Sequence, residues 1–156
     1  MQPKNIWTDY ANEELERLDS VCEKYKDCLN KGKTERECVS LALEMAKEAG
    51  YTDFREAVAE GRKLKAGDKL YAVCMNKSIA LFNLGEKPIS EGMNILGAHI
   101  DSPRLDVKQN PLYESEGMAY LDTHYYGGIK KYQWVAEPLA IHGVVAKKDG
   151  TVVSVN

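Results

Sequence analysis

Apolar residues recur along this chain at two different periods, and the change from one to the other comes near Gly67. Across residues 10–30, Leu15, Leu18, Val21, Cys22, Tyr25 and Leu29 fall three or four apart, which predicts an amphipathic helix. Thr8 or Asp9 is placed to cap its start, and Gly32 follows its end. A second helix is marked at both ends. Thr34 and Glu37 have the spacing of a capping box, Val39, Leu41, Leu43, Met45 and Ala46 supply apolar content, and Gly50 stops it. Residues 54–59 predict one further helical turn before Gly61.

Beyond Gly67 the pattern belongs to strands. Residues 69–75 and 78–84 are apolar, partly alternating runs on either side of Asn76-Lys77, which predicts a hairpin. A turn over residues 85–88 leads to residues 93–98, a short and nearly continuous apolar run. That texture predicts a strand buried on both faces, delivering the chain directly into His99. After Pro103 the chain holds many tyrosines and glycines and reads as short strands without a helical pattern. Residues 140–147 and 151–155 flank Lys148-Asp149-Gly150 as a hairpin. An apolar strand at the very end, with no partner element after it, predicts that the chain is truncated. There is no internal repeat or low-complexity segment.

Composition narrows the class. With 156 residues, 44% hydrophobic and 29% charged, the chain has the balance of a globular protein and length for one domain plus part of another. A net charge of -3 with scattered Lys and Arg argues against nucleic acid as a partner. Residues 1–9 lack the apolar core of a signal peptide, and no stretch has the length to span a bilayer, so a cytoplasmic location is expected. Cys22, Cys28, Cys38 and Cys74 form no CxxC pair and read as free thiols, three of them in helical patterns.

The candidate chemistry lies at the end of the apolar run, in Gly97-Ala98-His99-Ile100-Asp101-Ser102-Pro103. Neutral imidazole is a good zinc ligand, and its second nitrogen then needs an acceptor to fix its tautomer and orientation. On an extended chain, residues two apart point the same way, so Asp101 can serve His99. Pro103 keeps Ser102 extended. By itself a His-x-Asp pair is a weak signal, because a lone His at a strand end is more often an ordinary surface or core residue.

The longer context carries more. GDKLYAVCMNKSIALF, NILGAHIDSPRLDVKQNPLYE, THYYGGIKKYQW and PLAIHGVV, in this order, make the chain resemble the M18 family of metallo-aminopeptidases, the aspartyl aminopeptidase group, in its bacterial branch. The resemblance covers roughly the last two thirds of the chain. It implies the amino-terminal part of a zinc-peptidase-type α/β domain in residues 1–103, followed by an incomplete β-rich inserted domain in residues 104–156. It implies His99 as a ligand of one of two zinc ions and Asp101 as the catalytic-site carboxylate that orients it. The parent activity would be removal of amino-terminal, and by the family name acidic, residues from peptides by metal-activated water. The family's other ligands and its general-base Glu lie beyond the inserted domain, so this chain alone is expected to be inactive and not to hold zinc. Homo-oligomers assembled through the β-rich domain are also implied. One departure is that Ile100 stands where many members, eukaryotic ones especially, have Thr, and Arg104 and Asp106 follow the proline. This fits the bacterial branch and leaves substrate preference open.

Other residues receive blander readings. Glu114, Glu116, Asp122 and His124 lack a fixed ligand spacing and read as a solvated loop, and His142 as an outward residue on a strand. Tyr125, Tyr126, Tyr132 and Trp134 around Gly127-Gly128 read as packing in the β-rich part, with subunit contacts as the family-based alternative. Gly127-Gly128 has no phosphate-loop Lys-Ser/Thr after it. Two rival functions remain: a non-catalytic assembly or regulatory subunit of the same fold, and a binding module using the Tyr and Trp cluster without metal.

Overall fold

The structure, a computed structural model, describes residues 5–156; the expectation for residues 1–9 lies partly outside them. The chain divides into two compact units, one ending at Gly97 and the other running Ala98–Asn156.

In the first unit, α1 (Asn12–Lys31) and α2 (Glu35–Glu48) precede a small mixed sheet. Helix α1 starts after Ala11, not at Thr8 or Asp9. Ala11 has no side chain to cap with, and instead the Glu14 carboxylate accepts its N–H at 2.9 Å. Helix α2 has the predicted capping box. The Glu37 N–H donates to Thr34 Oγ1 at 3.3 Å, and the Thr34 N–H donates to Glu37 Oε2 at 2.8 Å, so two otherwise orphaned donors are satisfied. The turn between the helices is tight because Gly32 has no Cβ; a Cβ there would lie 2.8 Å from Cys38 Sγ. All four cysteines are free.

Strand β1 (Thr52–Asp53), absent from the sequence reading, pairs in parallel with β2 (Lys69–Cys74), and α3 (Phe54–Ala59) lies between them in the chain. Strand β3 (Ser78–Asn83) pairs antiparallel with β2, which is thus the central strand. The hairpin turn takes in Met75 as well as Asn76 and Lys77. Met75 and Asn76 both have positive φ, and the Lys77 N–H donates to the Cys74 carbonyl at 3.0 Å. Leu70 and Tyr71 are consecutive and both buried, so both faces of β2 are covered, with α2 and α3 packed on the sheet. Val39 and Ala46 of α2 and Ala57 of α3 complete this small core. The apolar stripe of α1 is different, since Val21, Tyr25 and Leu29 remain exposed.

Residues 93–98 are not a strand. They pair with no described segment, and Leu96 is fully exposed. A strand buried on both faces requires hydrogen-bonding neighbours and covering layers, and no described element supplies them.

The second unit contains a long hairpin of β4 (Arg104–Ser115) and β5 (Met118–Tyr126), the short helix α4 (Lys131–Trp134), and a hairpin of β6 (Gly143–Ala146) and β7 (Val152–Val155). Glu116 and Gly117 both have positive φ, as a two-residue hairpin turn between twisted strands requires. Residues 108–111 of β4 face Asp122 alone, and Pro111, which has no N–H for the ladder, falls within this irregularity. Glu114, Asp122 and His124 are therefore strand residues and Glu116 a turn residue, not a loop. Helix α4 was not legible as a helix, having only four residues. No helix among the described residues is long and apolar enough to cross a membrane.

Asp68, at the entry to β2, is the buried charged residue among the described residues of the first unit. Its carboxylate accepts the Lys65 N–H at 2.8 Å and pairs with Arg62 at 2.9 Å. The Lys65 hydrogen bond and then the Arg62 interactions hold its carboxyl below the ordinary carboxylate range, against an opposing effect of burial. A depressed folded-state pKa stabilises the fold above the unfolded value of about 4 and is lost as pH falls through the folded value. Urea midpoints measured from pH 6 down to pH 2 should therefore fall more steeply for the wild type than for Asp68→Asn; parallel curves would refute this role. Leu70 is the largest fully buried side chain, 2% exposed. Leu70→Ala should cost about 2–5 kcal/mol, read as a lowered urea midpoint at unchanged slope.

Candidate metal-ligand site

The site residues lie in the second unit, on the extended segment that enters β4. His99 and Asp101 are two apart on this segment, and their side chains meet as the extended spacing predicts. His99 Nδ1 lies 3.2 Å from Asp101 Oδ1 and 3.0 Å from the Asp101 carbonyl oxygen. Both of these neighbours are acceptors at neutral pH, so Nδ1 must carry the proton that it shares with them. In the neutral ring Nε2 is then the nitrogen with the lone pair, the arrangement of a metal-binding imidazole oriented by a carboxylate. The His99 side chain is 84% exposed and that of Asp101 38%.

Asp101 has a second partner that the sequence reading missed. The Tyr126 hydroxyl, 25 residues away, donates to Asp101 Oδ2 at 2.9 Å. This bond is the leading cause that holds the Asp101 carboxyl below the ordinary carboxylate range, with a smaller contribution from His99. Tyr126 arrives there because β5 places it directly opposite Arg104 in the antiparallel ladder. The Arg104 guanidinium lies 4.1 Å from the centre of the Tyr126 ring, and its Nε donates to Asp106 Oδ1 at 2.7 Å. Gly127 follows with φ of +75°, and a Cβ there would sit 3.4 Å from Pro103 Cα. The Tyr-Gly step thus folds back on the Ser-Pro step. Only long-range pairing reveals this, although the Tyr-Gly-Gly run is visible in the sequence.

The other candidates stay apart. His124 Nδ1 lies 3.0 Å from the carbonyl of its neighbour Tyr125, and Asp122 pairs with Lys108 at 3.0 Å. Tyr125 lies under Lys131, with 4.2 Å from Nζ to the ring centre, while Tyr132 is 73% exposed. No three His, Cys, Asp or Glu residues gather as a metal-binding group among the described residues. The donor chemistry therefore fits one imidazole ligand with its orienting carboxylate. It does not fit a complete catalytic zinc site, which takes three protein donors, and no reaction step is derived through the metal.

Comparison with known proteins gives these residues their context. The family model described as aminopeptidase I zinc metalloprotease (M18) matches residues 28–156. A "Probable M18 family aminopeptidase 1" of Clostridium acetobutylicum is 51% identical over 97% of this chain, and one of Borrelia garinii is 44% identical over all of it. Among solved structures, aminopeptidase I from Borrelia burgdorferi B31 aligns over 98% of the chain with a TM-score of 0.89 at 42% identity. The M18 family aminopeptidase from Thermotoga maritima aligns over 99% with a TM-score of 0.88 at 40% identity. The chain covers 33% of the length of each of these two sequence relatives, and 37% and 33% of the two solved chains. The mixed helix-and-sheet fold expected from the sequence matches these structures. On the family match and the identities together, this chain belongs to the M18 family of zinc metallo-aminopeptidases, of which it spans about a third of a member's length.

Proposed function

We propose that this chain is the amino-terminal portion of a di-zinc aminopeptidase that removes amino-terminal residues, acidic ones among them, from peptides. The observation that carries the reading is the His99–Asp101 pair, in which the carboxylate and carbonyl of Asp101 fix the proton on His99 Nδ1. His99 Nε2 then offers its lone pair to one zinc. Asp101 fixes the tautomer and orientation of the imidazole and makes it a stronger ligand. When bound, zinc in such a site acidifies a water and polarises the scissile carbonyl.

Further donors and a general base must come from outside these 156 residues, because one imidazole does not retain catalytic zinc. Residues 1–103 form the amino-terminal part of the peptidase domain, and residues 104–156 begin a β-rich inserted domain through which copies assemble. Exposed strand edges and apolar side chains on β4 and β5, such as Leu112 and Leu121, are consistent with such contacts. The working location is the cytoplasm.

Two outcomes test this. The 156-residue chain, supplied with zinc, should hydrolyse neither Asp- nor Leu-linked reporter peptides, whereas the full-length protein should; activity in the chain alone would overturn the reading. In the full-length protein, Asp101→Asn should lower zinc affinity or activity by about 10–100-fold, and His99→Ala by at least as much. Zinc content by mass spectrometry and initial rates measure both, and wild-type values in His99→Ala would remove His99 from the site.

A further inference from the structure

We infer that Tyr126 is a positioning residue of the metal site, acting through Asp101 on the imidazole of His99. This deepens the proposed function and rests on its reading of His99 as a zinc ligand. His99 Nδ1 has two acceptors within reach, the Asp101 carboxylate at 3.2 Å and the Asp101 carbonyl at 3.0 Å. Only the carboxylate is charged, and a charge-assisted hydrogen bond orients the ring more firmly than one to a carbonyl. A carboxylate on an extended surface segment rotates freely unless its other oxygen is held. The Tyr126 hydroxyl holds that oxygen, Oδ2, at 2.9 Å. The carboxylate is thereby set with Oδ1 toward His99 and Oδ2 toward β5.

The holding group is itself held. Tyr126 pairs with Arg104 in the β4–β5 ladder, so its backbone is fixed relative to the start of β4, three residues beyond Asp101. The Arg104 guanidinium over the ring, at 4.1 Å, draws electron density from the phenol and makes its hydroxyl a stronger donor. Asp106 fixes that guanidinium from the side through Nε at 2.7 Å. Gly127, at φ +75°, lets the chain turn closely past Pro103 immediately after Tyr126. Each contact serves one geometry, in which a tyrosine from the far strand clamps the carboxylate beside the ligand.

The test is a double-mutant cycle on the full-length protein, with zinc dissociation constants read by competition against a chromogenic chelator. Tyr126→Phe removes only the hydroxyl and keeps the ring beneath Arg104. It should weaken zinc binding by about 3–10-fold, a smaller loss than that from a direct partner of the ligand, while the melting temperature of the zinc-free protein stays unchanged. In an Asp101→Ala background the same substitution should have no further effect, because its route to His99 is gone. An unchanged dissociation constant in Tyr126→Phe, or an equal loss in both backgrounds, overturns the inference. His99→Ala separates the two readings. If it loses zinc while Tyr126→Phe does not, only the positioning role fails; if it binds zinc as the wild type does, the ligand reading fails and the positioning role with it.

Discussion

The antiparallel pairing of β4 with β5 is the constraint on which the candidate site depends. His99 and Asp101 find one another through local geometry, as any His-x-Asp on an extended segment can. What turns this local contact into a held arrangement is the ladder that brings Tyr126 opposite Arg104. The hydroxyl then reaches Asp101, the guanidinium covers the ring, and Gly127 closes against Pro103. Each of these contacts spans more than twenty residues of sequence and exists only because the two strands are in this register. A slip of one residue would carry the Tyr126 side chain to the other face of the hairpin and end the contact.

The first unit is organised by a different force. Its central strand β2 is covered on both faces, and the buried side chains are few: Val39, Ala46, Ala57, Leu70 and Tyr71. Asp68 joins them at the strand entry with its charge satisfied by Lys65 and Arg62. Around this small core, large apolar residues of α1, β3 and the 92–97 segment stay exposed, among them Tyr25, Phe82 and Leu96. Exposed apolar surface on this scale is a liability in a solitary domain and is ordinary where further chain or further copies cover it.

Function and fold therefore stand at different distances from the residues. The family assignment rests on a match across residues 28–156, and the mixed fold on close structural alignment. The role proposed for His99 rests on chemistry within a few ångströms: an imidazole whose Nδ1 faces the carboxylate and carbonyl of Asp101, leaving Nε2 as the lone-pair nitrogen of the neutral ring. A catalytic zinc site takes three protein donors, and no three His, Cys, Asp or Glu residues gather as such a group among the described residues.

Much of this was legible in the sequence, wherever the deciding interactions are local. The Thr34–Glu37 capping box, the helical turn at 54–59, the hairpin beyond Cys74 and the turn at Lys148-Asp149-Gly150 all depend on residues within a few positions of one another, and the His99–Asp101 pair belongs with them. The apolar run 93–98 shows the limit. Its composition marks a strand for burial on both faces, but a strand exists only with neighbours to bond, and none of the described segments provides them. The short parallel β1, the bulge around Pro111 and the hold of Tyr126 on Asp101 were equally hidden. They are products of register between distant segments, and no periodicity or motif spacing in one segment specifies which residue of another will lie across from it.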